Sequence, residues 1–149
     1  MDPPIQAKGT AYLYGETEKD AISYRVGEPV RFHIRLTDTA DFGLTYRCAG
    51  LVWHAEADDG QLWSGTGSGD SGRLTLEFSM KAPGSIRVTV EACDRGGGKL
   101  EKVQPFVGGA ICGFEQIRTG TECPKNFDAF WQAQLGALDA APPEVLYID

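Results

Sequence analysis

The chain has 149 residues, 42% apolar and 23% charged, with a net charge of -7. That length suits one domain with a short appendage, and the balance suits a soluble globular fold. The acidity and the scattered Lys and Arg exclude the clustered cations that nucleic acid or an anionic membrane surface demands, so neither is expected as a partner.

No run of 18 apolar residues occurs, so no transmembrane helix is expected. The opening MDPPIQAKG lacks the basic-then-apolar order of a signal peptide. That absence fits either a cytoplasmic protein or a mature exported sequence in which Met1 replaces the cleaved signal.

Period-two alternation is the strongest signal. AKGTAYLYG reads as a first strand. In EPVRFHIRL, Val30, Phe32, Ile34 and Leu36 point one way and Arg31, His33 and Arg35 the other. AGLVWHAEA is a central strand with Leu51, Trp53 and Ala55 on its inner face, and the DDG turn at 58–60 leads into QLWSG. RLTLEFSM buries Leu74, Leu76, Phe78 and Met80, and after an APGS turn SIRVTVEA buries Ile86, Val88, Val90 and Ala92. DRGGGK then separates that strand from a last one, KLEKVQPFVGGAI. One wet face and one dry face per strand is the pattern of antiparallel sheets packed in pairs. The expected fold is therefore all-β: an immunoglobulin-like antiparallel β-sandwich over 1–112, followed by one C-terminal amphipathic α-helix. A closed barrel is the alternative architecture.

The stretch GTGSGDSGR, residues 65–73, carries the G-x-G-x-x-G spacing of a dinucleotide loop and the G-D-S-G of a trypsin-like protease. A dinucleotide loop opens a helix, whereas a strand follows here. A serine nucleophile needs a histidine base and a carboxylate, and His33 and His54, the two histidines, alternate outward on strands. The run reads as a loop between strands ending near Ser64 and beginning at Arg73.

Other clusters read blandly. Arg31, His33 and Arg35 make a basic stripe that Asp38 and Asp41 can neutralise. Glu56, Asp58 and Asp59 lack the further oxygen ligands at fixed spacing that calcium requires. Cys48, Cys93, Cys112 and Cys123 show no C-x-x-C spacing, so a zinc site is unsupported and buried reduced thiols are expected. Cys48 and Cys93 are a pair to test for a link across Trp53. Tyr12, Tyr14, Tyr24 and Trp63 are candidates for an aromatic surface that stacks on sugar. No catalytic residue, cofactor or metal ligand is assigned.

The tail, 113–149, changes character. Asn126 is an N-cap candidate and Asp128 lies in the first turn, where it favours the helix dipole. Phe127, Phe130, Trp131, Leu135 and Leu138 recur at i, i+3, i+4, i+8 and i+11, one face of an amphipathic helix that Pro142 and Pro143 end. EVLYID then reads as the start of a further strand. Three large aromatics on one helix ask for a partner surface, since burying each contributes about 1.5–3 kcal/mol.

The segment CPKNFDAFWQAQLGAL resembles the opening of acetylxylan esterases and cephalosporin-C deacetylases, in which a P-x-D-F-D-x-F-W helix precedes an α/β-hydrolase domain. Pro124, Phe127, Asp128, Phe130 and Trp131 match, and Asn126 stands where Asp is usual. A looser similarity, to family members from polysaccharide-degrading bacteria, runs through GEPVRFHIRL and APGSIRVTVEA. The resemblance implies a parent serine ester hydrolase whose triad lies downstream of Asp149, and an exported, periplasmic or extracellular, setting. This chain would then be a non-catalytic accessory domain, with Phe127, Phe130, Trp131, Leu135 and Leu138 docking its own downstream hydrolase domain. A carbohydrate-binding module with a polysaccharide partner, and a stand-alone interaction domain that forms a homo-oligomer, are the alternatives.

Overall fold

A strand with one apolar face can bury it only against another such face, and the alternation along this chain builds two sheets that do so. The computed structural model describes residues 10–40, 47–118 and 120–141. The chain divides into two compact units, Met1–Ile117 and Arg118–Asp149.

The first unit contains β1 (Ala11–Thr17), β2 (Val30–Asp38), β3 (Gly50–Ala57), β4 (Leu62–Ser68), β5 (Arg73–Phe78), β6 (Gly84–Cys93), β7 (Val103–Gln104) and β8 (Phe106–Cys112). One four-stranded sheet has the order β5-β2-β1-β7 and the other β4-β3-β6-β8. All neighbours are antiparallel except β1 and β7. The core lies between the sheets. Leu13, Val30, Phe32, Ile34, Leu36, Leu76 and Phe78 face in from one, and Leu51, Ala55, Ile86, Val88, Val90 and Ala110 from the other. The protein is thus an all-β sandwich with a C-terminal helix.

Aromatic rings join the two layers. Phe78 on β5 meets Trp53 edge-on at 5.9 Å and Trp63 tilted at 5.1 Å, both from the opposite sheet, and Phe32 of its own sheet at 6.1 Å. Phe32 also meets Phe106 of the opposite sheet at 6.4 Å.

Three expectations change in detail. The glycine-rich run is not a loop up to Arg73: β4 extends to Ser68, so Gly65 and Gly67 are strand residues opposite Trp53 and Leu51. A β-carbon at Gly65 would lie 2.8 Å from the Trp53 indole, and one at Gly67 2.8 Å from Leu74. Glycine there leaves room for large neighbours to lie over the strand. The turn itself is Gly69–Gly72, where Gly72 adopts φ +60° and its N–H bonds Gly69 O at 3.0 Å.

Secondly, the expected last strand is cut in two. Pro105 has no N–H to give a ladder, and the chain changes sheets there. Val103–Gln104 runs parallel to β1, while Phe106–Cys112 pairs with β6. Thirdly, Gly84 of the APGS turn is already the first residue of β6.

The DDG turn forms as a three-residue hairpin. Ala57 N–H bonds Gln61 O at 3.0 Å, Gly60 N–H bonds Ala57 O at 2.9 Å, and Gly60 takes φ +83°. In DRGGGK, the Asp94 carboxylate accepts from the N–H groups of Gly96 at 2.8 Å and Gly98 at 2.9 Å.

In the second unit, α1 spans Phe127–Asp139. Asn126 is its N-cap, although no side-chain capping bond forms; its backbone carbonyl accepts from Phe130 N–H at 2.8 Å. The expected EVLYID strand, with Pro142 and Pro143, lies outside the described residues.

Two glycine substitutions should move stability in opposite directions. A β-carbon at Gly69 would lie 2.1 Å from the Cys48 carbonyl oxygen, a backbone atom that cannot swing aside. Gly69→Ala should cost at least about 2 kcal/mol in urea unfolding. Gly136, inside α1, has nothing within 4 Å of its β-carbon position. Gly136→Ala should favour the helix by up to about 1 kcal/mol, read as added ellipticity at 222 nm.

Candidate functional site

Two surfaces collect the residues with binding chemistry, one on each unit. The first is the helix face. Its periodicity puts Phe127, Phe130, Trp131, Leu135 and Leu138 on one side of α1, and the rings pack on each other. Phe127 meets Trp131 edge-on at 6.2 Å and Phe130 meets Trp131 at 5.5 Å. About half of each ring residue remains exposed: 46% for Phe127, 51% for Phe130 and 50% for Trp131. Leu135 and Leu138 are more exposed still. Edge-to-face pairs of this kind attract by about 0.5–1.5 kcal/mol each beyond the area they bury.

The second surface is the outer face of the β5-β2-β1-β7 sheet. Register aligns Tyr14, Arg35 and Arg73 in one row, Glu16, His33 and Thr75 in the next, and Arg31 with Glu77 beyond. The Arg35 guanidinium lies over the Tyr14 ring at 4.9 Å, and Tyr14 OH donates to Glu16 at 3.1 Å. That bond and the Glu16 charge raise the Tyr14 pKa.

The basic stripe read from the sequence is thus interleaved with acid. Arg31 Nε bonds Glu77 at 2.5 Å and its Nη1 reaches Glu18 at 3.5 Å. His33 Nε2 lies 3.4 Å from Glu18 and Nδ1 3.2 Å from Thr75 Oγ1. Glu18 follows the end of β1 and Glu77 comes from β5, so neither neutralising group is near Arg31 in sequence. Asp38 is fully buried and accepts from Ala40 N–H at 2.8 Å, and Asp41 lies outside the described residues.

The aromatic surface expected from Tyr12, Tyr14, Tyr24 and Trp63 does not assemble as one platform. Trp63 packs inward on Phe78, and Tyr24 is buried with the Lys19 ammonium 4.6 Å from its ring centre. Tyr12 and Tyr14 do share the outer face, two residues apart on β1. A groove of about 400 Å³ runs beside β8 on the other sheet, lined by Ile22, Arg87, Val107 and Ile111 among others, with no aromatic ring in its wall.

The other sequence candidates have structural partners. Asp58 accepts from Ser85 N–H at 2.7 Å and Ser85 Oγ at 2.9 Å. Asp59 accepts from Gln61 Nε2 at 2.6 Å, Gln61 N–H at 3.1 Å and Lys81 N–H at 3.3 Å. Burial pushes the Asp59 carboxyl up, but these donors outweigh it and hold it below its ordinary value. Among the described residues no three His, Cys, Asp or Glu side chains converge as a metal site. Ser71 of G-D-S-G bonds the backbone of Arg73, accepting from its N–H at 3.3 Å.

Glu28 shows the clearest consequence for pH. The Lys19 ammonium, bonded at 2.5 Å, and the Arg25 N–H, at 2.9 Å, hold its carboxyl below the ordinary value of 4.5. A carboxyl depressed on folding stabilises the fold above its unfolded pKa, and that contribution disappears as pH falls through the folded value. Melting temperature should therefore fall more steeply between pH 6 and pH 3 in the native chain than in Glu28→Gln, with the two curves converging at the acid end.

No model of a known protein family matches the chain, and no curated protein matches it either.

Proposed function

We propose that this chain is the non-catalytic N-terminal accessory domain of a carbohydrate esterase, most closely an acetylxylan esterase, and that α1 docks its sandwich unit to the hydrolase domain. The observation that carries this reading is the ring cluster of Phe127, Phe130 and Trp131, half-exposed on one helix face. Clustered aromatic groups open on one side are what a protein interface uses as anchors, and Trp is prominent among them. The resemblance of CPKNFDAFW to the helix that introduces the hydrolase domain of these esterases supplies the partner's identity.

The finer fold assignment belongs to the same proposal. We infer an immunoglobulin-like topology. The order β5-β2-β1-β7 in one sheet and β4-β3-β6-β8 in the other supports it, since the chain crosses between sheets after β2, β4, β5, β6 and β7, and crossings between two packed sheets are what Greek-key sandwiches use. In this reading the sandwich is a rigid body that braces the catalytic domain or forms one wall of its substrate cleft.

The isolated chain should not hydrolyse p-nitrophenyl acetate. Turnover that a single Ser substitution abolishes would overturn the non-catalytic reading. Supplied in trans to the hydrolase domain, the chain should bind it, and Trp131→Asp should weaken that binding at least tenfold, on the order of 1.4 kcal/mol or more. Binding unaffected by Trp131→Asp would remove α1 from the interface.

The Tyr12–Tyr14 pair favours a second reading, a carbohydrate-binding face. Titration with acetylated xylan should then give saturable heat that Tyr14→Ala removes. A flat titration sinks this reading without touching the first.

A further inference from the structure

Cys48, Cys93 and Cys112 are buried thiols and Cys123 is an exposed one. Two of them meet at a single residue. The Cys48 thiol donates to the Gly50 carbonyl oxygen at 3.1 Å. Gly50 lies directly opposite Cys93 in the β3–β6 ladder, and a β-carbon at Gly50 would lie 3.0 Å from Cys93 Sγ. Both sulfurs thus lie against Gly50, at the start of β3, where a side chain would crowd Cys93.

Electrostatics reports the same proximity. Burial first, and then the charge of Cys93, push the Cys48 thiol up to about 11. Burial, followed by Asp94, also raises Cys93.

Local freedom allows the remaining approach. Cys48 lies before β3, outside the ladder, and a bend at Ala49 separates it from Gly50. Its N–H is held by Gly69 O at 3.2 Å, which anchors the backbone there, so the approach is made by rotation of the Cys48 and Cys93 side chains and leaves the β3–β6 pairs intact. Cys112 cannot compete for Cys93. It lies opposite Gly84, at the other end of β6, and nine residues of strand span roughly 30 Å.

We propose that Cys48 and Cys93 are a redox pair that closes to an intrachain disulfide in an oxidising compartment, tying the start of β3 to the end of β6. The oxidant is a small disulfide such as oxidised glutathione. The Cys93 thiolate attacks one of its sulfurs, releasing one glutathione thiolate and leaving a mixed disulfide on Cys93. The Cys48 thiolate then attacks the Cys93 sulfur and releases the second glutathione thiolate. Two electrons pass from the protein to the oxidant, and the two cysteine protons end on the two glutathione sulfurs. The low thiolate fraction of two buried thiols makes closure slow at neutral pH.

The full chain, incubated with oxidised glutathione at pH 8.5, should lose about 2 Da relative to its reduced form before alkylation, and should take up two fewer alkyl groups when alkylated under denaturing conditions. After trypsin, the peptide 48–73 should appear joined to 88–95. Closure should raise the melting temperature by about 5–10 °C, and dithiothreitol should reverse the rise. Cys123→Ser, which removes the exposed thiol, should give the same cross-link and the same rise. Stable glutathione adducts without the cross-link, a link through Cys112 or Cys123 instead, or no oxidation of Cys48 and Cys93 would overturn the proposal.

Discussion

The sandwich depends on how it closes along the edge formed by β4 and β5. Phe78, on an edge strand, fits its ring against Trp53 and Trp63 from the facing sheet and against Phe32 of its own. Each ring supplies large apolar area, and the tilted and edge-on geometries add attraction beyond area alone. The Trp53 indole can enter this layer because the residue opposite it on β4 has no side chain. Gly65 leaves room for the Trp53 indole, and Gly67 leaves room for Leu74. A sequence stretch with the outward form of a phosphate loop thus serves as packing relief.

The opposite edge uses the same device. The Phe106 ring lies where β-carbons on Gly15 and Gly108 would be, within 3 Å of both positions. Large rings over small strand residues, at both edges, set the spacing of the sheets.

Much of this was legible from periodicity. The strands of Phe32, Phe78 and Val88 alternate so regularly that their inner and outer faces follow from the residue types alone. What the sequence hid has physical causes. The second half of β4, Gly65 to Ser68, was obscured because its two glycines disfavour strand, and Gly65 pairs there opposite Trp53. The division at Pro105 could be suspected from a missing donor, but the destination of each half depends on tertiary fit. The Glu18–Arg31–Glu77 network joins three separate segments, and the meeting of Cys48 with Cys93 at Gly50 depends on strand register. Neither could be read locally. The α1 face, by contrast, was written plainly in the spacing of Phe127, Phe130 and Trp131.

The two units divide the proposed work. The sandwich offers a stiff body whose polar groups are largely engaged with one another, and α1 offers an aromatic face with room for a partner. The central claim is that this partner is a hydrolase domain encoded with the chain. The most direct measurement is the nucleotide sequence that follows the Asp149 codon in the gene. The account predicts an open frame continuing into a domain that bears G-x-S-x-G, and a stop codon at that point would contradict it.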